Sequence, residues 1–393
     1  MTTESGLRII DKAVQACQDQ SFLYKYISAN DVGKTGGHQS GFYIPYSCWP
    51  LIFETPGEKG ENKDKLVRIS WNDTHETRSR FIWYGTGTRR EYRLTRFGRG
   101  FPYMTDDHIG SLMIITKENE EAYRGFVLDA DDDIDQFVAR FSISPFETCG
   151  LIKQDTPEIP DSAGISRREM FEEYLATIIE DFPATNDIAA AAREFCRKEG
   201  QPSDPDDRIM KWLDMEFSLF RYIEESRYTG SVRSGFESID KFLDFAQTVL
   251  NRRKSRAGKS LEHHLGAIFQ DSEIPFTNNG VTEGNKRPDF IFPGIDQYHD
   301  RSFSDDSLVF LAAKTTCKDR WRQILNEADR INTKHLFTLQ PGISSNQMEE
   351  MEAVHVQLVV PRSNLPNFPE KYRGSILTLD SFIGYANNKI RIK

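Results

Sequence analysis

The stretch Arg287-Pro288-Asp289-Phe290-Ile291-Phe292, then Leu308 to Ala313 and Lys314-Thr315-Thr316-Cys317-Lys318-Asp319-Arg320-Trp321-Arg322, decides the reading of this chain. Two short apolar runs read as buried strands. One begins at an acid, and about 25 residues later the other ends at a lysine, so Asp289 and Lys314 can meet at one edge of a sheet. Leu336-Phe337-Thr338-Leu339 and Val356 to Val360 read as further strands. Between the strand at Leu308 to Ala313 and that at Leu336 to Leu339, residues 317–332 place Trp321, Ile324, Leu325, Ala328 and Ile331 on one face, which predicts an amphipathic helix. This alternation predicts an α/β sheet covered by helices.

Phosphodiester cleavage uses such a pair. A carboxylate holds a hard divalent cation through oxygen, and the cation polarises the phosphate and lowers the pKa of its bound water. A lysine offers positive charge to the transition state or orients the attacking water. Alone, the pair also fits an ordinary solvated strand end. Two more acids are in range. Glu262 falls beside the apolar stripe Leu261, Leu265, Ile268 and Phe269 of a helix opened by Ser260. Glu327 follows Arg320 by about two helical turns, which puts both on one side of the predicted helix. On pattern alone either acid reads equally as a surface charge. Lys318-Asp319-Arg320 is a basic-acid-basic triplet at a helix start. An Arg bonds bidentately to guanine and a carboxylate accepts from cytosine, so the triplet suits adjacent G·C pairs, although helix-end charge scatter gives the same pattern.

Working outward, residues 1–150 read as mostly β. Gly41-Phe42-Tyr43-Ile44, Phe81-Ile82-Trp83-Tyr84 and Gly125-Phe126-Val127-Leu128 alternate with polar turns, as in a barrel or sandwich. Residues 154–164, with two prolines and several acids, read as a linker that few contacts should cross. Ser166-Arg167-Arg168-Glu169 is a capping box opening a helix with Met170, Tyr174 and Ile178 at helical spacing, and the texture stays helical through Leu250.

The 393 residues suit two domains, and 38% hydrophobic with 28% charged residues is ordinary for a globular protein. No apolar run approaches the roughly 18 residues that would span a bilayer, and the first residues lack the pattern of a secretory signal, so a cytoplasmic protein is expected. Five scattered cysteines with no C-x-x-C pair support neither a zinc site nor a disulfide framework. The net charge of −10 argues against nucleic acid only on average. Arg89, Arg90, Arg93, Arg96 and Arg99 form one basic patch and Arg252 to Lys259 another, and both suit phosphate contact. Asp129, Asp131, Asp133 and Asp135 have the odd spacing of a calcium loop but lack its Gly and bidentate Glu, and read as an exposed acidic loop. Gly85-Thr86-Gly87 lacks the third glycine of a dinucleotide fingerprint.

The runs Asn251 to Glu262, Thr282 to Phe290 and Lys314 to Glu327 resemble the EcoRII-like type II (type IIE) restriction endonucleases. Ser28-Ala29-Asn30-Asp31, Thr35-Gly36-Gly37-His38-Gln39 and Leu94 to Gly100 carry the resemblance into the first half. It runs from about residue 25 to 385 and is poor over 105–250 apart from helical texture. What it implies is a two-domain α+β protein. Residues 1–153 would be a β-pseudobarrel effector domain, 154–165 a linker, and 166–393 an α/β/α catalytic domain of the PD-(D/E)XK restriction endonuclease-like fold. Asp289 and Glu327 would bind Mg²⁺, Lys314 would be the motif's lysine and Glu262 a helix-borne acid. The chain departs from the simplest pattern, because Ala312 stands where the second acid belongs and Glu327 is the matching position in the following helix. Lys318, Asp319 and Arg320 would read the half-site of a short CC/GG-containing palindrome, CC(A/T)GG. His38, Glu91, Arg93, Arg96 and Arg99 would contact a second copy of the target.

The implied partners are double-stranded DNA at more than one site and a second copy of the chain, in a bacterial cytoplasm. Whether the first domain activates or restrains cleavage stays open. The competing readings are a non-catalytic sequence-specific DNA-binding protein and a nuclease guided by DNA shape, as in repair.

Overall fold

The structure is a computed structural model that describes residues 7–34, 41–153 and 165–391. Its first half is built on an eight-stranded sheet: β1 (Phe22–Tyr26), β2 (Phe42–Ile44), β3 (Lys63–Trp71), β4 (His75–Tyr84), β5 (Glu91–Thr95), β6 (Leu112–Lys117), β7 (Ala122–Leu128) and β8 (Cys149–Ile152). Their spatial order is β2-β5-β4-β3-β7-β6-β1-β8, and among the described strands only β3 and β7 pair in parallel. The period-2 rule divides the core. Leu23, Met113 and Ile115 face one cluster with Phe42, Trp71 and Phe81, while Phe22, Tyr24, Leu112 and Ile114 face another. Helix α1 (Ile9–Cys17) and helix α3 (Asp131–Phe141) cover the second cluster, and the short α2 (Trp49–Ile52) adds Leu51 and Ile52 to the first.

The second half holds a six-stranded sheet of β9 (Thr277–Asn278), β10 (Phe290–Phe292), β11 (Val309–Lys314), β12 (Lys334–Thr338), β13 (Val356–Val360) and β14 (Leu377–Thr378). The order is β14-β13-β12-β11-β10-β9, parallel from β11 to β14 and antiparallel at β10 and β9. On one face, Val309, Leu311 and Ala313 pack under α4 (Ile165–Thr177), α5 (Thr185–Glu199), α6 (Pro205–Ser234), α7 (Ile239–Asp271) and α10 (Leu379–Arg391). On the other, Phe310 and Ala312 pack with α8 (Ile295–His299), α9 (Ser345–Ala353) and the segment around Trp321. Helix α6 starts where Asp204 accepts from the amides of Asp206 and Asp207, with Pro205 at its first position. The α/β sheet expected from the sequence is present, and the architecture is a two-part α+β protein.

Three expectations need correcting. Residues 317–332 do not form an amphipathic α-helix. A 3₁₀ turn spans Arg320–Asn326, and Glu327 lies beyond it in extended conformation. Apolar residues three and four apart serve a 3₁₀ turn as well as an α-helix over so short a run. Ser260 does not open a helix either, because α7 starts at Ile239 with Ser238 as its cap, and Ser260 is buried within it. Finally, many contacts join the two halves. Gln340 donates to the Gly110 carbonyl at 2.9 Å, Ser345 N donates to Asp106 at 2.7 Å, and Phe146 packs edge-on against Phe217. Residues 154–164, and with them the linker, lie outside the described residues, as do the side chain of Ser166 in the expected capping box and His38.

Candidate active site

Asp289 stands immediately before β10, and Lys314 ends β11. The antiparallel register, Phe290 opposite Leu311, brings them together as the sequence pattern predicted. The Asp289 carboxylate is 8% exposed; its Oδ2 accepts from Ala313 N at 2.7 Å and from Lys314 Nζ at 3.2 Å. The Asp289 carbonyl accepts from Asn278 Nδ2 and Asn279 N, which fixes the entry to the strand.

Glu262 reaches this edge from α7. Burial and the charge of Asp289 push its carboxyl up, against hydrogen bonding to Asn279 and the charges of Lys314 and Lys259. Burial likewise pushes the Glu327 carboxyl up, Lys314 works against it, and Asp289 adds to it. The four side chains therefore share one electrostatic neighbourhood, in which the three carboxylates offer oxygens of the kind hard divalent cations take and Lys314 supplies positive charge beside them. Among the described residues no three such side chains converge closely enough to form a complete cation cage by themselves. Ala312, two residues before Lys314, is wholly buried in the core around Phe310 and Trp321.

Lys318 is buried, Arg320 half-buried and Asp319 exposed, and all three are tied to the first half of the molecule. Asp131, at the start of α3 and wholly buried, accepts from the backbone amides of Lys318, Asp319 and Arg320 at 3.1, 2.8 and 3.1 Å. The Arg320 guanidinium bonds Asp135 and Asp132 at 2.5 Å each. Lys318 Nζ donates to Ser111 Oγ and Asp129 Oδ1. Burial works to raise the Asp129 carboxyl, but its bond with His108 and the charge of Lys318 hold it well below the usual carboxylate range. A hydrogen bond with Asp131, helped by burial, pushes the Asp319 carboxyl up to about 6. Of the acids expected in an exposed loop, Asp131 and Asp135 thus belong to a helix and meet the triplet, Asp129 precedes that helix and meets Lys318, and Asp133 faces Arg8. The cue in the sequence was Ile134 and Phe137, three residues apart, which with Asp131 make one buried face.

The other end of α3 is held too. Arg253 donates to the Ala139 and Arg140 carbonyls, among those that a helix end leaves without partners, and Arg221 donates to Ser142 Oγ at 2.7 Å. The basic run 252–259 is therefore mostly committed. Arg253 grips Glu224, Arg256 is buried over the Phe220 ring, and Arg252 lies 4.2 Å from the centre of Phe182, which leaves Lys254 and Lys259 exposed. Between α3, α7 and the end of β11 lies a cleft of about 200 Å³ lined by Arg221, Arg253, Lys314, Arg320 and Glu262. In the first half, Arg96 and Arg99 are exposed. Arg93 is 4% exposed and bonds Glu91 at 2.9 Å and the Gly41 carbonyl at 3.2 Å, so its guanidinium is already engaged.

Residues 16–149 match the family described as restriction endonuclease EcoRII, N-terminal, and residues 220–383 the family described as EcoRII C terminal. The two matches cover about half of the stretch 105–250 in which the sequence resemblance was poor, and leave 150–219 outside them. The chain is 36% identical over 386 residues to the type II restriction enzyme EcoRII of Escherichia coli, covering 94% of each protein. It is 26% identical over 208 residues to the type II restriction enzyme SsoII of Shigella sonnei, covering 50% of this chain and 66% of that one. Among solved structures, metal-depleted Ecl18kI in complex with uncleaved, modified DNA is similar at 20% identity and a TM-score of 0.44, covering 57% of this chain and 83% of that one.

Proposed function

The chain belongs to the EcoRII family of type II restriction endonucleases, site-specific DNA-cutting enzymes, and from that premise we propose that it makes Mg²⁺-dependent double-strand cuts at a short CC/GG-containing palindrome, CC(A/T)GG. The observation that carries this reading is the meeting of Asp289, Lys314, Glu262 and Glu327 at one edge of an α/β sheet. In it, residues 166–393 form a PD-(D/E)XK domain, with Asp289 and Glu327 to hold the cation. A hard divalent ion supplies Lewis acidity at the scissile phosphate. Lys314 offers its ammonium to the developing charge and is kept in place by Asp289. Glu262 faces the same space from α7. A palindrome is read by matched half-sites, so the working form is a homodimer on double-stranded DNA, with Lys318, Asp319 and Arg320 as its reading head. Digestion of plasmid DNA with and without Mg²⁺, followed by sequencing of the ends, tests this. Discrete ends at CC(A/T)GG are expected, and shifted but intact DNA would favour a binding protein without activity.

A second reading concerns control. We infer that residues 1–153 form a pseudobarrel effector domain, joined through 154–165, and that the described arrangement is a restrained one. Three observations support it: the triplet amides on Asp131, the Arg320 guanidinium on Asp132 and Asp135, and Lys318 buried against Asp129. A second DNA site bound by exposed Arg96 and Arg99, with Glu91 and Arg93 beside them, activates only if the open arrangement binds it more tightly than the closed one. His38, outside the described residues, belongs to the same proposed surface. A one-site plasmid should be cut slowly, and faster when duplexes carrying the site are added.

A further inference from the structure

An acid two residues before the motif's lysine would be positioned by the strand itself. Here that place is Ala312, and Glu327 stands in a loop beyond a 3₁₀ turn, where no ladder holds it. What holds it is a pair of side chains from elsewhere, one from the loop before β10 and one from β12. The carbonyl just before Glu327, that of Asn326, accepts from Lys286 Nζ. The carbonyl just after it, that of Ala328, accepts from Lys334 Nζ at 2.6 Å. Lys334 is the first residue of β12 and only 5% exposed, so its ammonium is committed to that carbonyl inside the protein.

The remainder of the loop is fixed to the same degree. Ala328 is buried with φ 50, a left-handed conformation that a residue with a Cβ adopts only when its surroundings impose it. Asp329 N donates to Glu283 at 3.4 Å, and Arg330 N donates to the Tyr298 hydroxyl at 3.3 Å. The Arg330 guanidinium reaches the Asp300 and Phe303 carbonyls at 3.0 and 2.8 Å. Against the burial that raises the Glu327 carboxyl, the charges of Lys314, Lys334 and Lys286 all favour its ionised form.

We propose that Lys334, seconded by Lys286, is a positioning residue that fixes both carbonyls flanking Glu327 and so presents the displaced acid to the cation held with Asp289. The proposal rests on the reading of Glu327 as a cation ligand. Outer partners that orient ligands are worth about 10–100-fold in metal affinity.

The test uses the full chain with an excess of duplex carrying the site mapped from the plasmid digest. Ca²⁺ affinity is measured by titration calorimetry, alongside DNA affinity without metal and single-turnover cleavage across a Mg²⁺ series. Glu327→Gln is expected to weaken Ca²⁺ binding strongly. Lys334→Met should weaken it about tenfold, leave metal-free DNA affinity unchanged, and recover most of its cleavage rate at high Mg²⁺. Lys334→Arg should restore part of the affinity, and Lys334→Met added to Glu327→Gln should cost nothing more. Should Lys334→Met not yield folded protein, the less buried Lys286→Met carries the same comparison. Normal Ca²⁺ affinity in the folded lysine variants, with Glu327→Gln impaired, would overturn the positioning role. Normal affinity in Glu327→Gln would overturn the ligand reading on which it rests.

Discussion

Residues 289–314 and residues 318–320 are neighbours in the chain, yet they are held by opposite means. Asp289 and Lys314 are placed by their own sheet, through the β10–β11 register and the Ala313 amide. Lys318, Asp319 and Arg320 are held by acids of the other half of the molecule, Asp129, Asp131, Asp132 and Asp135. The proposed chemical groups are assembled without DNA, while the proposed reading head is masked. The difference teaches where control is cheapest. Releasing charge-assisted contacts at a helix start leaves the sheet edge undisturbed, whereas dismantling the edge would disturb the core of the sheet.

That comparison breaks most severely at the sheet edge. Asp289→Ala should lower cleavage by on the order of 10³-fold or more while specific DNA binding persists, because a proposed cation ligand is lost and no base contact is. Lys314→Ala should act in the same direction. Gel assays of cleavage and binding on the same duplex check both, and near-normal cleavage would remove these residues from the chemistry.

At the masked triplet, Arg320→Ala should lose discrimination at a G·C pair by roughly 1–3 kcal/mol per half-site, the worth of a bidentate guanine contact. Competition binding with single-base variants of the site measures it. The same change removes the bonds to Asp132 and Asp135, so the variant should also respond less to added duplex.

The sequence carried these two regions unequally. Asp289 and Lys314 were legible because strand period and sheet adjacency convert spacing directly into proximity. Glu327 was singled out as a migrated acid by resemblance alone, and its setting was not legible, since the alternation of Trp321, Ile324 and Ala328 does not separate a 3₁₀ turn from an α-helix. The buried roles of Asp131, Lys334 and Arg253 were illegible because each depends on a partner far away in the chain. A run of aspartates looks solvated until the amides it caps are known. Arg93 shows the same limit, since its bonds to Glu91 in its own strand and to the Gly41 carbonyl beside the neighbouring strand were not visible in the basic run.

A smaller effect, one of pH, sharpens the comparison at the interface. Asp319 sits at about 6 in the closed arrangement, above its ordinary value of 3.8, because it shares a hydrogen bond with Asp131. Its contribution to closure is therefore complete below the ordinary value and lost as pH rises through about 6. The ratio of duplex-stimulated to unstimulated cleavage should be several-fold larger at pH 5.5 than at pH 8, and taking the ratio cancels titration of the cutting site itself. A ratio independent of pH would remove Asp319 from the clamp.

The smallest effect belongs to the sheet edge without metal. The Glu262 carboxyl is raised by burial and by Asp289, so its protonated form favours folding below the ordinary carboxyl pKa, and that contribution is lost as pH rises. Glu262→Gln should melt about 1–3 °C higher than the parent at pH 8 in chelator, and the difference should vanish near pH 4. A lower melting temperature at pH 8 would mean that the carboxylate stabilises the fold and is not held there against it.

The claim that the reading head is masked while the chemical groups stand ready is tested most directly by the rate at which full-length Asp131→Ala/Asp135→Ala cuts a one-site plasmid without added duplex. Asp131 is buried and holds three amides, so its removal should shift the closed–open balance by about tenfold or more. A correspondingly faster unstimulated rate, no longer raised by added duplex, is the predicted result. An unchanged slow rate that still responds fully to duplex, in a variant that folds and binds DNA normally, would contradict it.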